Sequence, residues 1–275
     1  SSSDWDGAVS SVTVAALTDT LTGAEIVISN VEFTNMAVGN VDADANLELV
    51  VNTGLVTDLI SGDTQWSAGT GFGTHVATGD LQGDGIDEII GADSWGAVYV
   101  YSAVDKTQLD SFDVSHICDL AAFDLDENGA DELVVSDCQW GEVRAFTLDS
   151  ADKLALQWSV DVQEYGSSSL SAGDIDNDGA PELLWGSGVS SSTGNVLVTA
   201  DIDGATVTVN QELTTVQLDA FSASGWANTG AENEQAIFLV PTTGNGDNGL
   251  AVATLQKIGN VKRVGQFDSS WSNTS

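Results

Sequence analysis

The sequence predicts an all-β protein built from repeated antiparallel sheets. Among its 275 residues 29 are Gly and only 2 are Pro, a composition typical of short strands joined by glycine turns. No segment keeps the i, i+3, i+4, i+7 apolar spacing of an amphipathic helix over three turns. Hydrophobic residues make up 42% of the chain, so the sequence can bury a core despite its charge and does not indicate disorder.

The charge of the chain disfavours two classes of partner. Its 42 Asp and Glu residues against 6 Lys and Arg residues give a formal net charge of −36. A protein of this sign repels phosphates and anionic lipid headgroups. The sequence also lacks the run of about eighteen apolar residues that would span a bilayer. We therefore expect no nucleic-acid partner and no membrane insertion.

Four segments of the chain repeat one acidic pattern. They are GNVDADANLELVV from Gly39, GDLQGDGIDEIIG from Gly79, FDLDENGADELVV from Phe123 and GDIDNDGAPELLW from Gly173. The glutamates that align them are 40, 44 and 50 residues apart, at Glu48, Glu88, Glu132 and Glu182. Four-stranded blades of β-propellers repeat at about 40 to 50 residues.

Each copy predicts a strand, an acidic loop, a second strand and then two outer strands. The copy at Gly79 is the clearest, because GAVYVYSAV and QLDSFDV follow its second strand. The sequence thus predicts a β-propeller of about six blades, within a range of about five to seven. We expect one domain over residues 1–275, with strong repeats at 33–215 and a degenerate last blade at 216–270. The hairpin at 10–30 is the candidate that closes the ring; the alternative is that the chain is part of a longer propeller.

The acidic loops predict metal sites. Numbered 1 to 9 from Asp174 to Glu182, this loop has carboxylates at positions 1, 3, 5 and 9 and Gly179 at position 6. Such a set of hard oxygen ligands favours Ca²⁺, whereas Mg²⁺ requires a stricter octahedron and Zn²⁺ prefers nitrogen or sulfur. The alternative is a set of solvated turn acids. We predict about four calcium ions. The residue at position 7 of each loop would bind through its main-chain carbonyl. The predicted ligands are Asn40, Asp42, Asp44, Asn46, Glu48, Asp80, Gln82, Asp84, Ile86, Glu88, Asp124, Asp126, Asn128, Ala130, Glu132, Asp174, Asp176, Asp178, Ala180 and Glu182.

The D-x-D-x-D-G-x-x-E motif at Asp174, with variants at Asn40, Asp80 and Asp124, resembles a known repeat. It is similar to the FG-GAP, or VCBS, repeats of calcium-binding β-propellers of the integrin alpha-subunit type, over roughly residues 10 to 270. The resemblance implies a propeller with calcium in the first inter-strand loop of a blade, and no single activity. An EF-hand is disfavoured, because its glutamate would stand at position 12 between helices. The degenerate copies near Asp19 and Trp226 are not expected to bind calcium.

The two cysteines bracket the loop at Asp124. If Phe123 faces Leu133 across the hairpin, Cys118 and Cys138 are directly opposite each other. This register predicts a disulfide and an oxidising location. Two buried thiols are the alternative.

Trp95 and Trp140 each precede a Gly that opens a third strand, on the face opposite the calcium loops. An exposed ring there would stack on a sugar or anchor a protein partner, whereas a buried one would be a wedge between blades. We interpret His75 and His116 as ordinary strand or loop residues and expect no catalytic residue.

The leading hypothesis is a non-enzymatic, calcium-stabilised propeller that acts as a binding, adhesion or surface module. Its partner would be a protein or glycan on the face opposite the calcium loops, or a second copy through self-association. The alternatives are a carbohydrate-binding propeller or an appendage of a polysaccharide-degrading enzyme, and a protomer of an extracellular filament or surface layer. A hydrolase or lyase is disfavoured. Because Ser1 is not an initiator Met and acids predominate, we expect a secreted, processed protein outside the cell or on its surface, in a saline or marine setting.

Overall fold

Antiparallel sheets account for the regular structure of the described chain. The computed structural model describes residues 11–15, 25–29, 33–137, 142–161, 167, 169–173, 179–186, 196–214, 223–227, 234–240, 249–256 and 260–267. Within these ranges there are one two-stranded and five four-stranded sheets. No helix in the described part of the chain is long and apolar enough to cross a membrane. The predicted all-β class is confirmed.

The strands of each sheet are neighbours in chain order, so each sheet is an antiparallel meander. The two-stranded sheet lies within the range predicted for a closing hairpin and consists of β1 (Ser11–Ala15) and β2 (Glu25–Ser29). The next sheet has the strands β3 (Met36–Gly39), β4 (Glu48–Val51), β5 (Leu55–Asp58) and β6 (Thr64–Ser67). It is followed by β7 (His75–Gly79), β8 (Glu88–Ala92), β9 (Ala97–Ser102) and β10 (Thr107–Asp113).

Three further sheets follow the same scheme. The first has the strands β11 (Asp119–Phe123), β12 (Glu132–Ser136), β13 (Glu142–Leu148) and β14 (Leu154–Asp161). The second has β15 (Ser169–Gly173), β16 (Glu182–Gly186), β17 (Val196–Asp203) and β18 (Thr206–Thr214). The last has β19 (Ala223–Ala227), β20 (Glu234–Val240), β21 (Gly249–Gln256) and β22 (Asn260–Phe267). The predicted order of strand, acidic loop, strand and two outer strands is therefore confirmed.

The second strand of a sheet is the most deeply buried. Every residue of β4, β8 and β12 is buried, whereas the outer strand β10 has exposed and half-buried residues. The sequences ELVV, EIIGA and ELVVS explain this difference, because continuous Val, Leu and Ile residues suit a strand that is covered on both faces. Each of these strands nevertheless begins with a buried glutamate.

The chain divides into two compact units, each with its own core. Unit 1 comprises Ser1–Val114 and Leu148–Leu154, and unit 2 comprises Ser115–Thr147 and Ala155–Ser275. The expectation of one domain over residues 1–275 stays a prediction.

The core of unit 1 consists of aliphatic side chains around Phe72, which also contacts two further aromatic rings. Phe72 is fully buried among aliphatic residues of β4, β5, β7 and β8. Its ring centroid lies 5.2 Å from that of Trp66 and 5.2 Å from that of Tyr101. Such edge and tilted contacts are favourable geometries for aromatic pairs. The buried Val41 belongs to the same cluster and anchors the first acidic loop to the core.

Unit 2 repeats this arrangement. Its core cluster contains Trp158 and Trp185, together with Val134 of β12 and apolar residues of β13 and of β15 to β17. Leu125, the second residue of an acidic loop, is 1% exposed and lies in this cluster. In both units a buried apolar side chain at loop position 2 thus fixes an acidic loop to the sheet.

Candidate metal centre

Each acidic loop connects the first and second strands of its sheet. The strand pairing begins immediately at the loop glutamate, with the pairs Gly39 and Glu48, Gly79 and Glu88, Phe123 and Glu132, and Gly173 and Glu182. The nine-residue loop and the glutamate at its end are therefore placed as the repeat predicts.

The position 9 glutamate folds back over its loop. One carboxylate oxygen, Oε2, accepts the main-chain N–H of position 2, at 2.9 Å from Val41 to Glu48, 3.0 Å from Leu81 to Glu88 and 2.9 Å from Leu125 to Glu132. The other oxygen, Oε1, is buried in Glu48 and Glu132 and has no hydrogen-bond partner among the described residues. Buried polar atoms normally find a partner, so these two oxygens are suited to bind a ligand such as a cation.

These carboxyl groups are held at an energetic cost in the absence of a cation. Burial raises the pKa of Glu48, Glu88 and Glu132 to about 7, against the opposing effect of the main-chain hydrogen bond. Neighbouring loop carboxylates raise it further. Loss of water and like charge both disfavour the ionised form, and a cation would remove both penalties.

The aspartate at position 1 closes the second and third loops. In the third loop Asp124 Oδ1 accepts the N–H of Asn128 at 3.0 Å, and its Oδ2 accepts that of Gly129 at 3.1 Å. Gly129, which donates this N–H, has a φ of +90°. That left-handed conformation is the physical reason for glycine at position 6.

Two of the loops bring their acids together. Asp42, Asp44 and Glu48 form one group, and Asp124, Asp126 and Glu132 form another. Within each group, one oxygen from every residue lies within 4.8 Å of the others. The donors are hard oxygens, which suit Ca²⁺, and both groups contain a buried oxygen without a hydrogen-bond partner in the described structure. The residues present therefore fit a metal ion.

The loop at Asp80 is built differently at position 3. The amide of Gln82 donates to Asp152 Oδ1 at 2.8 Å, in the same unit. Asp80, Asp84 and Glu88 are all described but do not meet as a metal-holding group. The loop keeps the same internal hydrogen bonds, including Gly85 N–H to Asp80 Oδ2 at 2.7 Å.

The fourth loop is described only at its end. Asp174, Asp176 and Asp178 lie outside the described residues, so their predicted ligation stays a prediction. Gly179 has a φ of +101°, as expected at position 6. Glu182 is 4% exposed and has the same strand position as the other three glutamates.

Asn40, a predicted ligand, connects the first loop to the second. Its side-chain Nδ2 donates to the carbonyl of Gly85 at 3.0 Å, and its main-chain N–H donates to Asp87 Oδ2 at 3.0 Å. Its carbonyl in turn accepts the N–H of Asp87 at 2.7 Å. A Cβ on the preceding Gly39 would clash with Asp87 Oδ2 and would lie 2.7 Å from Thr78 Cβ, so this close approach favours glycine. No role was predicted for position 8 of the loop. The sequence signal for such a role is the aspartate that two of the four loops have there, Asp87 and Asp131.

Replacing Asp87 tests this contact between the loops. Asp87→Ala leaves the N–H of Asn40 without its acceptor, which is expected to cost about 1 to 3 kcal/mol of unfolding free energy. Asp87→Asn keeps an acceptor oxygen and removes a carboxylate whose pKa burial raises, so it should be close to neutral. Urea unfolding of both variants measures the difference. Equal destabilisation by both substitutions would contradict the role given to this hydrogen bond.

Two acids outside the predicted ligand sets also make contacts between strands. Asp58, at the end of β5, pairs with Glu48 across the sheet and accepts the side-chain N–H of Asn46 at 3.1 Å. In unit 2, Asp119 Oδ2 accepts the main-chain N–H of Leu170 at 2.8 Å and so connects β11 to β15. Burial raises the pKa of Asp119 to about 6.

The register around the cysteines differs from the prediction by one residue. Phe123 faces Glu132, not Leu133, because the glutamate must open the strand for its carboxylate to reach the N–H of Leu125. Cys118 donates its N–H to the carbonyl of Ser136 at 3.0 Å. Cys138 lies outside the described residues, so the disulfide stays a prediction without the register that supported it.

Trp95 lies at the other end of β8 from the acidic loop, as predicted. It is 74% exposed, which contradicts the alternative of a buried wedge for this residue. Trp140 lies outside the described residues. His75 Nε2 lies 3.3 Å from Ser94 Oγ, and His116 lies in the irregular segment between β10 and β11.

Comparison with known proteins supports this description of the repeat and the sheets. A family profile described as an FG-GAP-like repeat matches residues 124–185. A search of curated proteins finds no significant match. Among solved structures, the Dos1 propeller is 15% identical with a TM-score of 0.52, and the alignment covers 84% of this chain and 57% of that one.

Two further structures are similar. The C-terminal WD40 domain of Sif2 is 13% identical, with a TM-score of 0.55 over 91% of this chain and 64% of that one. The rhamnogalacturonan lyase PL11 of Bacillus licheniformis is 14% identical, with a TM-score of 0.44 over 80% of this chain and 59% of that one. The chain thus spans less than two thirds of each of these structures. At such identities the Dos1 and Sif2 structures show the fold alone: the chain has the fold of a β-propeller, and its residues 124–185 match the FG-GAP-like repeat.

Proposed function

We propose that the protein is a calcium-stabilised β-propeller that serves as a non-enzymatic binding module outside the cell. The observation that carries the calcium part is the buried Oε1 of Glu48 and Glu132, which has no hydrogen-bond partner in the described part of the chain. In each case two aspartates supply further oxygens within 4.8 Å.

The residues that would hold the ion are those of the two groups, with the main-chain carbonyl of position 7 as a further oxygen. A bound Ca²⁺ would supply positive charge that offsets the repulsion among the loop carboxylates. The chain itself contributes the rigid loop: the position 2 side chain is buried in the core, and the position 9 carboxylate accepts its N–H. Binding at these loops would therefore stabilise the junction of the first two strands.

The binding part of the proposal rests on the fold and on the face opposite the acidic loops. A propeller scaffold presents loops at both ends of its strands, and calcium would occupy only one end. The exposed Trp95 lies at the other end of β8. We place the partner there, and propose that it is a glycan in preference to a protein. No described feature favours self-association into a filament or surface layer, which stays an alternative.

An extracellular location agrees with the proposed calcium sites, because extracellular calcium reaches concentrations that weak sites can bind. A disulfide between Cys118 and Cys138 would also fit such a location. Mass measurement with and without reduction distinguishes it from two thiols.

Calcium-dependent thermal stability tests the proposed function. Because a ligand that binds only the folded state stabilises it, millimolar Ca²⁺ is expected to raise the melting temperature by roughly 5 to 10 °C over the value in EDTA. Mg²⁺ at the same concentration is the control and should have a much smaller effect. Identical melting temperatures in Ca²⁺ and EDTA would contradict the proposal.

A further inference from the structure

The turn between β8 and β9 presents a tryptophan to solvent on a rigid support. Trp95 is 74% exposed, the highest value among the large hydrophobic side chains described as exposed. The turn that carries it is fixed on both sides. Asp93 donates its N–H to Ala97 at 3.0 Å, and the carbonyl of Gly96 accepts the N–H of Val114 at 2.8 Å. The backbone that carries the ring is therefore ordered before any ligand arrives, which lowers the entropic cost of binding.

The surroundings of the ring are polar. Ser94 Oγ lies 2.9 Å from Thr74 Oγ1 and 3.3 Å from His75 Nε2. The N–H of Ser94 also donates to Thr74 Oγ1 at 2.8 Å. Two hydroxyls and an imidazole thus form a hydrogen-bonded row, and Ser94 of this row precedes Trp95 in sequence. The Thr74 hydroxyl also donates to the Ala92 carbonyl at 3.1 Å, which fixes this end of the row. Each of these groups can act as a donor or as an acceptor.

An aromatic face beside amphoteric polar groups has the chemistry that recognises a sugar ring. A pyranose has an apolar face of C–H groups, which packs on an indole, and a rim of hydroxyls that exchange hydrogen bonds as donor and acceptor. A protein interface would instead surround its tryptophan with further apolar side chains. Here the residues of the turn that precede and follow Trp95 are Asp, Ser and Gly.

The charge of the protein selects among sugars. The net charge of −36 repels uronic acids and sulfated glycans, and no lysine or arginine lies within the turn or next to Thr74 and His75 in sequence. Neutral hydroxyl and imidazole groups also offer no ion pair to a carboxylate.

We propose that Trp95, Ser94, Thr74 and His75 form a binding site for a neutral pyranose of an oligosaccharide or polysaccharide. This site gives the proposed binding module its ligand class and rests on that proposal. Its indole supplies the stacking surface, Thr74 holds Ser94 in place, and the Ser94 hydroxyl and the His75 imidazole hydrogen-bond the sugar rim.

Titration of the calcium-loaded protein with neutral hexaoses of glucose, mannose and galactose tests the site, with hexagalacturonate as the anionic comparison. NMR detects binding at the indole Nε1–H signal of Trp95, which is assigned by its absence in Trp95→Ala. At least one neutral hexaose is expected to shift this signal. Trp95→Ala should weaken the binding measured by calorimetry at least tenfold, and Ser94→Ala by about threefold to tenfold. Val104→Ala, at another exposed apolar residue of unit 1, is the matched control and should bind normally.

Three results would overturn the proposal: no shift with any neutral hexaose, binding of hexagalacturonate alone, or neutral binding that Trp95→Ala leaves unchanged. Capture of a protein partner through Trp95 without any sugar binding would also overturn it. The melting temperature in Ca²⁺ and EDTA is measured on the same samples. Calcium-dependent stabilisation without sugar binding refutes this site alone, whereas loss of the calcium effect refutes the calcium part of the proposed function.

Discussion

Acidifying the calcium-free protein from pH 8 to pH 5.5 is expected to raise its melting temperature. The folded-state pKa of Glu48, Glu88 and Glu132 is raised from 4.5 to about 7. Between these values the folded protein binds protons that the unfolded chain does not, so stability increases as the pH falls through 7. Asp119, whose pKa burial raises to about 6, acts in the same direction.

Calcium binding should show the opposite dependence on pH. A proton on the position 9 glutamate must leave before the carboxylate can act as a ligand. With a pKa of about 7, the affinity of each site is expected to fall roughly thirty-fold between pH 8 and pH 5.5. Melting curves in EDTA and calorimetric titrations with Ca²⁺ at both pH values measure the two trends. A melting temperature that falls on acidification in EDTA would show that these glutamates are not the buried, proton-binding groups described here.

Glu132→Gln is expected to have opposite effects with and without calcium. In EDTA at pH 8 the amide oxygen still accepts the N–H of Leu125, while the buried charge is removed, so the melting temperature should rise by about 3 °C. In Ca²⁺ the variant lacks a carboxylate ligand, and affinity at this loop should fall by about tenfold or more.

Glu127→Gln is the matched control for this substitution. Glu127 stands at position 4 of the same loop, is exposed, and belongs to neither metal-holding group. The two variants carry the same chemical change and the same net charge. Calorimetric titration and thermal unfolding should find Glu127→Gln close to the parent protein in both conditions. Equal effects of the two substitutions would indicate that only the overall charge of the loop matters.

The repeat allowed the sheets and the acidic loops to be predicted from the sequence. Strand, loop and strand recur at a fixed spacing to the glutamate, and local turn chemistry determines such a unit. The glycine at position 6 illustrates this, because Gly85, Gly129 and Gly179 all have a left-handed φ there, whereas the first loop has Ala45 and no left-handed residue at this position.

The contacts between successive sheets could not be predicted in this way. Asp87 was assigned no role, since its partner Asn40 lies 47 residues away in sequence and the contact depends on how neighbouring sheets approach. The side chain of Gln82 was predicted as a ligand and instead donates to Asp152, 70 residues away. The one-residue error at Phe123 has a local cause: the buried carboxylate of Glu132 fixes the start of β12, and a count of loop residues does not show this.

Counting the calcium ions that bind tests the central claim most directly. Two of the four loops bring their acids together as metal-holding groups, and Asp174, Asp176 and Asp178 of the fourth loop lie outside the described residues. Isothermal titration calorimetry at pH 8 is therefore expected to find about two or three Ca²⁺ per chain, with much weaker binding of Mg²⁺. The double variant Glu48→Gln and Glu132→Gln should lose about two of these sites. Absence of saturable Ca²⁺ binding, or a stoichiometry that the double variant leaves unchanged, would contradict the assignment of the acidic loops as calcium sites.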